Sequence, residues 1–158
     1  FMSDHGDCMG DHRMIYKFST HYESVVRVPL VLAGPGIEAR GVQRHMVELK
    51  DVGATLLDLV DLEPDDEVDA RSFKEVLEGE GDEFRDAVFS ERGDRSMIRT
   101  RDWKLVAYAG SLHGELYHLK DDPDELNNLW EDETKFPVRA ELTERLLDWY
   151  VETRFVND

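Results

Sequence analysis

The sequence is poor in cysteine and contains no long apolar run. Its 158 residues include a single cysteine, Cys8, so an internal disulfide is excluded. No segment approaches the roughly 18 consecutive apolar residues that a transmembrane helix requires, and no signal-peptide pattern is present. We therefore predict no membrane span in this segment.

Positive charge is also scarce. Lys and Arg number 19 against 36 Asp and Glu, which gives a formal net charge of -17. Nucleic acid is therefore excluded as a partner, because binding to phosphates needs a basic surface. Only six of the basic residues are Lys, and this composition resembles the surface of a halophile-like, salt-adapted protein; an ordinary acidic protein is the alternative. At molar salt the Debye length falls to about 3 Å, so surface repulsion of an anionic substrate would be screened.

Residues that bind metals are concentrated in the first seventeen positions. Three aspartates alternate there with two histidines, and two glycines allow tight turns: Asp4, His5, Gly6, Asp7, Gly10, Asp11 and His12. Carboxylate oxygens suit calcium, magnesium or manganese, and imidazole nitrogen extends the range toward transition metals. A polar surface loop in an acid-rich chain is the alternative interpretation.

The position of the first acidic pair favours a ligand site. Phe1-Met2-Ser3 is short and largely apolar, as the last turn of a buried strand would be. Asp4 and His5 would then lie just beyond a carboxyl end, where open α/β sheets bind their ligands.

A longer set of motifs carries a family resemblance. Ser3-Asp4-His5-Gly6-Asp7 is followed by Met9-Gly10-Asp11-His12, by Lys17, and by Tyr22-Glu23-Ser24 leading to Arg27-Val28-Pro29-Leu30. In order and spacing these motifs resemble the second half of a formylglycine-dependent sulfatase of the alkaline phosphatase-like superfamily.

The resemblance implies a role for three residues. Asp4 and His5 would be metal ligands, with calcium the first choice and magnesium or manganese as alternatives. Lys17 would be a catalytic residue that binds the substrate sulfate. A divalent ion and an ammonium group together would offset the charge of a sulfate ester and of its transition state. Asp7, Asp11 and His12 are expected to lie outside the metal's ligand set.

The family's nucleophile has no counterpart in the sequence. It is a formylglycine made from Cys or Ser within a Cys/Ser-x-Pro-x-Arg motif, whereas Cys8 is followed by Met9-Gly10-Asp11-His12. We interpret Cys8 as a thiol without a catalytic role. Since the chain also opens on Phe1, we expect the formylglycine upstream, and we expect this chain to be the C-terminal part of a longer enzyme that does not turn over alone.

The fold class expected is α/β, in two parts. Residues 1–80 would be the C-terminal portion of a metal-binding α/β domain, with 25–33 forming a buried strand of a mostly parallel sheet. A helix capped by Asp51 would run to Asp61, an acidic connection would cover 63–71, a short helix would cover 72–77, and a solvated loop would cover 78–83.

Residues 81–158 would form a small antiparallel subdomain with a terminal helix. Four short runs of period two predict strands at 87–90, 96–99, 103–108 and 115–119. Asp122-Pro123-Asp124-Glu125-Leu126-Asn127-Asn128-Leu129 nearly matches a sulfatase motif and is interpreted as a structural turn. From Pro137 onward, apolar residues at helical spacing predict a helix, with Glu141 and Arg145 paired on its wetter side.

Three functions are compatible with the sequence. The first is the metal-binding half of a sulfatase that hydrolyses a sulfate ester, either a small molecule or a sulfated glycan. The second is a phosphonate or phosphodiester hydrolase of the same superfamily, and the third is a non-catalytic interaction module. If 25–33 has an exposed flank, pairing between sheet edges predicts an oligomer or poor solubility for the segment alone.

Overall fold

Regular structure is concentrated in the second half of the chain. The computed structural model describes residues 1–63, 69–79 and 83–155. The helices in these ranges are α1 (Glu23–Val26), α2 (Leu49–Asp58), α3 (Lys74–Glu78) and α4 (Phe136–Phe155), with short 3-10 turns at Asp11–Arg13 and Glu133–Lys135. The strands are β1 (Ala87–Arg92), β2 (Arg95–Thr100), β3 (Trp103–Tyr108) and β4 (Gly114–His118). None of these helices is long and apolar enough to cross a bilayer.

The four strands form an antiparallel meander in the order β1-β2-β3-β4. The prediction of four antiparallel strands is therefore confirmed. On one face of the sheet, alternate residues pack against α4 and form the main hydrophobic core, which contains Ala87, Ile98, Leu105, Leu116, Leu142 and Leu146. The terminal helix is confirmed as well. Arg145 was predicted to pair with Glu141, but in the structure it bonds to Asp86 (2.8 Å).

The opposite face of the sheet is covered by the N-terminal part of the chain. Because side chains alternate along a strand, Arg95, Met97 and Arg99 of β2 point away from α4. Met97 is nevertheless buried, as are Val106 and Tyr117 on the neighbouring strands. The sheet is thus a central layer, with α4 on one side and the residues around position 20 on the other.

The prediction of a strand over 25–33 is wrong for its first two residues, Val25 and Val26. Residues 23–26 form α1, in which Val25 N–H and Val26 N–H both donate to Tyr22 O. Glu23 bonds into the sheet, and these tertiary contacts outweigh the β-branched sequence. Further along, Leu30 forms a single bridge with Met2, and that bridge is antiparallel, not parallel.

A second, smaller core lies under α2 and α3. It consists of Val52, Phe73, Val76 and Phe84. The helix predicted from Asp51 begins earlier: Glu48 is the N-cap, and Asp51 at N3 completes a capping box with it. The short helix predicted over 72–77 is confirmed with shifted bounds as α3, and it ends at Gly79 in the left-handed conformation (φ 80°). The acidic connection at 63–71 and the loop at 78–83 lie partly outside the described residues.

These elements bear out the expected α/β class, with its antiparallel sheet and terminal helix. The division at residue 80 stays a prediction.

Candidate metal site

Asp4 and His5 are adjacent in the chain and face each other. Asp4 Oδ1 accepts the His5 N–H (3.0 Å), and Asp4 Oδ2 lies 3.5 Å from His5 Nε2. The Asp4 side chain is 85% exposed, so one edge of the pair opens to solvent. A carboxylate oxygen and an imidazole nitrogen thus converge on one point.

The backbone sets the state of the His5 ring. His5 Nδ1 lies 2.9 Å from Gly6 O, which can only accept a hydrogen bond, so the proton of the neutral ring is on Nδ1. Nε2 then has a free lone pair directed toward Asp4. This arrangement, with one ring nitrogen bonded to a carbonyl and the other free, is the usual one for a metal-binding histidine.

Asp4 is held in its ionised form. The hydrogen bond from the His5 backbone is the main cause that lowers the pKa of Asp4, and the charge of Lys17 adds a small contribution. The carboxylate is therefore available as a ligand over the whole neutral range.

The pair fits a divalent cation but does not complete a site. Two ligands at right angles around an ion at 2.3–2.6 Å lie about 3.3–3.7 Å apart, which agrees with the 3.5 Å between Nε2 and Oδ2. Among the residues that the structure describes, no group of three or more His, Cys, Asp or Glu could hold an ion. Any further ligands would have to come from elsewhere.

Lys17, the predicted sulfate-binding residue, follows in a turned segment. Its backbone N–H donates to Asp7 Oδ1 (2.8 Å), and its carbonyl accepts from Thr20 Oγ1 (2.8 Å). Its ammonium contributes to the lowered pKa of Asp4, so the two side chains are electrostatic neighbours. Asp7 therefore has a turn-stabilising contact, as expected for a residue outside the ligand set, and Cys8 is buried.

Gly6 joins this loop to α1. Its N–H donates to Val25 O (2.8 Å), and a Cβ at this position would lie 2.0 Å from Ser24 O. Only glycine allows so close an approach. The backbone that carries His5 is thereby fixed to residues 24–25.

A buried ion network lies behind the candidate site, and it was not predicted from the sequence. Lys104 on β3 is 0% exposed, and its Nζ contacts Glu23 Oε1 (2.7 Å), Glu125 Oε1 (2.8 Å) and His21 O (2.9 Å). Glu23 also accepts from Arg99, and the Glu23 N–H donates to Glu125 Oε2 (2.6 Å). The network joins the segment before α1 to the sheet.

The two carboxylates in the network respond differently to burial. Burial raises the pKa of Glu125, and Lys104 offsets this only in part. Burial also acts to raise the pKa of Glu23, but Lys104 and Arg99 together outweigh it and the pKa is lowered. Glu23 is thus the firmly ionised partner of the ammonium.

A sequence signal for this network was available. Its two carboxylates belong to motifs quoted above, Glu23 to Tyr22-Glu23-Ser24 and Glu125 to the Asp122–Leu129 motif, and Lys104 lies in the strand predicted over 103–108. The turn assigned to the last motif is present, with Asp122 accepting from the N–H groups of Leu126 and Asn127. Its glutamate has the additional role of closing the network.

His21 is buried beside Lys104. It is 3% exposed, and within the described part of the chain its Nδ1 finds no hydrogen-bond partner. Burial, assisted by the charge of Lys104, lowers the pKa of His21 to about 4. The ring is therefore neutral at physiological pH.

Comparison with known proteins gives a consistent result. The family model described as N-sulphoglucosamine sulphohydrolase, C-terminal, matches residues 10–152. Arylsulfatase K of Bos taurus is 32% identical over 163 residues, which cover 92% of this chain and 29% of that protein. The chain thus spans less than a third of the length of this curated relative.

Two solved structures extend the similarity to the fold. A 2-O GAG sulfatase superposes with a TM-score of 0.83 at 29% identity, over 98% of this chain and 36% of the other. The phosphonate monoester hydrolase of Agrobacterium radiobacter superposes with a TM-score of 0.84 at 30% identity, over 97% of this chain and 34% of the other.

Proposed function

The chain belongs to the sulfatase family represented by the N-sulphoglucosamine sulphohydrolase C-terminal domain, and from this we propose that Asp4, His5 and Lys17 form part of an active site that hydrolyses sulfate esters. One observation carries the proposal. An ionised carboxylate and an unprotonated imidazole nitrogen converge at 3.5 Å, and the charge of Lys17 acts on the same carboxylate.

A divalent metal, calcium in the first instance, would be held by Asp4 and by His5 Nε2. When bound, it would polarise a sulfate oxygen and stabilise negative charge in the transition state. The exposed edge of Asp4 leaves room for ligands from elsewhere, and the bond from Nδ1 to Gly6 O keeps Nε2 directed toward that edge.

Lys17 would bind the sulfate group as a cation. Its backbone is fixed at Asp7 and at Thr20, so the side chain extends from an anchored turn. An ammonium at this place would hold the substrate in position and stabilise the charge of the transition state. The formylglycine nucleophile would be supplied from outside this chain, because Cys8 is buried and lacks the motif that is converted.

The substrate class we favour is a sulfated glycan. The family description names N-sulphoglucosamine, and one similar structure is a GAG sulfatase. Such a substrate is strongly anionic, and the chain has a net charge of -17. Binding would therefore rely on the metal and Lys17 at close range and would improve as salt screens the surface.

A phosphonate or phosphodiester hydrolase is the second candidate. The phosphonate monoester hydrolase superposes as well as the sulfatase does, with TM-scores of 0.84 and 0.83. A metal and a lysine would serve a phosphoryl group by the same electrostatics. The rates of hydrolysis of an aryl sulfate and of an aryl phosphodiester would be compared, and their ratio gives the preference of the enzyme.

The proposal is tested with the protein as its native source produces it, with Asp4→Ala or Lys17→Ala introduced at the chromosomal locus. Each change should lower aryl sulfate hydrolysis by about 100-fold or more, since removal of one electrostatic contact in an active site costs about 100 to 1,000-fold. Asp11→Asn, in the 3-10 turn, is the matched control and should retain activity within about two-fold. Unchanged hydrolysis in Asp4→Ala would contradict the proposal.

A further inference from the structure

The face of the sheet opposite α4 carries a row of basic side chains, Arg95, Arg99 and Lys104, which we call the basic row. Arg99 and Lys104 are directly opposite each other in the pairing of β2 with β3. Arg95 lies on the same face of β2 as Arg99, four residues before it. None of the three is a predicted site residue. All three bond to a single stretch of backbone and side chains at positions 19–23.

Each member of the basic row has a defined partner in that stretch. Arg95 Nη1 donates to Ser19 O, and Lys104 Nζ donates to His21 O (2.9 Å). Glu23 Oε1 accepts a hydrogen bond from Arg99 Nε (3.1 Å) and lies 2.7 Å from Lys104 Nζ. Glu125 holds the same stretch from the other side, because it accepts the Glu23 N–H.

The stretch ends at the two parts of the candidate site. At one end, Thr20 bonds to the carbonyl of Lys17. At the other end, α1 places Val25 O against the Gly6 N–H, and Gly6 O fixes His5 Nδ1. Hydrogen bonds joined by short stretches of backbone therefore connect the basic row to both Lys17 and His5.

We infer that Lys104 is a positioning residue for the metal-binding loop, acting through Glu23, α1 and Gly6 on His5. The C-terminal sheet thus determines the geometry of a site to which it contributes no ligand. The inference rests on the proposed function, in that His5 matters only if it binds the metal.

The contacts around Gly6 explain why the coupling is tight. A Cβ on Gly6 would lie 2.0 Å from Ser24 O, so the loop and α1 are already at the closest approach that a backbone allows. When Lys104 is removed, the buried Glu125 and the half-buried Glu23 lose the cation that lies between them and repel each other, with Arg99 left to neutralise Glu23 alone. The Glu23 end of α1 then moves, and Val25 O no longer meets the Gly6 N–H.

The experiment uses the full chain, labelled with nitrogen-15, and compares Lys104→Met with Lys50→Met. Lys50 also contacts two carboxylates, Glu48 and Asp69, but it shares no partner with the basic row. NMR would report the tautomer of the His5 ring at a fixed pH above neutrality, and the hydrogen-exchange rate of the Gly6 amide relative to the amides of β2 and β3.

In Lys104→Met we expect His5 to lose its single tautomer and Gly6 exchange to accelerate at least ten-fold more than exchange in the sheet. Lys50→Met should leave the His5 tautomer unchanged and the Gly6 exchange rate within about two-fold of wild type. Equal acceleration at Gly6 and in the sheet, with an unchanged His5 tautomer, would overturn the inference, because it would show general destabilisation only. Should Lys104→Met fail to fold, Glu125→Gln removes one charge at constant size and should produce the same changes in smaller measure.

Addition of Mn²⁺ alone separates the inference from the proposed function. If His5 responds to Lys104→Met while Asp4→Ala leaves both Mn²⁺ binding at His5 and aryl sulfate hydrolysis unchanged, the proposed metal site is wrong and the positioning role holds. If wild type binds Mn²⁺ at His5 and Lys104→Met binds it with unchanged affinity and tautomer, the positioning role is wrong.

Discussion

The first 47 residues and residues 87–155 are built in opposite ways. The first region contains only a four-residue helix, one 3-10 turn and an isolated bridge, whereas the second has four strands and a twenty-residue helix. Yet Asp4, His5 and Lys17 all lie in the first region. The residues with candidate chemistry are therefore held by hydrogen bonds within their own loop, and the stretch at 19–23 connects that loop to the neighbouring sheet.

The fully buried aliphatic side chains lie in the second region, although both regions also expose large apolar residues, such as Leu112 in the second. Ile98, Leu105 and Leu116 of the second region are fully buried, whereas Phe1 and Met9 of the first are largely exposed. Concentrated apolar exposure is typical of surfaces that meet another protein segment. Association of the isolated chain stays a prediction, and light scattering would measure it.

The largest effect should come from the contact that joins the two regions. Lys104→Met removes the cation from the buried Glu125 and leaves the half-buried Glu23 with Arg99 alone, so we expect the free energy of unfolding to fall by about 3–5 kcal/mol. Denaturant unfolding of wild type and variant at neutral pH measures this loss of unfolding free energy. Lys50→Met, whose side chain is 31% exposed, should cost no more than about 1 kcal/mol. Equal losses in the two variants would mean that the network does not join the regions as described.

A truncation in the core of the second region should cost far more stability than one on an exposed helix face. Leu105→Ala removes a side chain that is 0% exposed and should lower the free energy of unfolding by about 2–5 kcal/mol. Leu56→Ala, on the outer face of α2 where Leu56 is 52% exposed, should cost less than about 1 kcal/mol. Chemical denaturation of both variants gives the comparison, and a loss at Leu56 as large as that at Leu105 would contradict the assignment of the core.

The interface between the regions should also show in the pH dependence of stability. Because the folded-state pKa of His21 is about 4, below the unfolded value of 6.5, the unfolded state binds more protons between these pH values. The contribution of His21 is fully present above pH 6.5 and is lost as the pH falls toward 4, by about 3 kcal/mol in total.

The difference in unfolding free energy between wild type and His21→Gln, measured from pH 7.5 to pH 4, isolates this contribution. The wild type should lose stability relative to the variant on acidification. A difference that is constant with pH would show that His21 is not buried as a neutral ring.

The smallest effects are expected at two glycines. Gly6→Ala forces a Cβ against Ser24 O and should destabilise the chain by about 1–3 kcal/mol. Gly53→Ala lies within α2, where a Cβ would meet nothing within 4 Å, and should stabilise it by up to about 1 kcal/mol. Thermal unfolding of the two variants should therefore shift in opposite directions, and a shift of the same sign would contradict the tight contact at Gly6.

The second region was predictable because its signals are local. Alternation along 103–108 and the helical spacing after Pro137 depend on neighbours in the sequence, and both elements form as predicted. The turn at Asp122 was predictable for the same reason, since its carboxylate bonds to amides four and five residues away.

The first region was less predictable because distant residues determine it. Val25 and Val26 favour a strand by composition, but Glu23 bonds to Lys104 and to Glu125, 81 and 102 positions away, and a helical turn forms instead. The same holds in α2, outside both regions: Asp51 is a good capping residue by type, yet it lies at N3 and bonds to Arg85, 34 positions away. The sequence resemblance located Asp4, His5 and Lys17, but it did not reveal what holds them.

The metal site is tested most directly by a Mn²⁺ titration of the nitrogen-15 labelled protein as its native source produces it, so that ligands from outside this chain are present, with Asp4→Asn as the comparison. High salt should be used to screen the acidic surface. We predict that the amide and ring signals of His5 broaden first in wild type, and that Asp4→Asn needs at least ten-fold more Mn²⁺ for the same effect. Broadening that begins elsewhere on the acidic surface, or that is identical in Asp4→Asn, would show that Asp4 and His5 do not form a metal site.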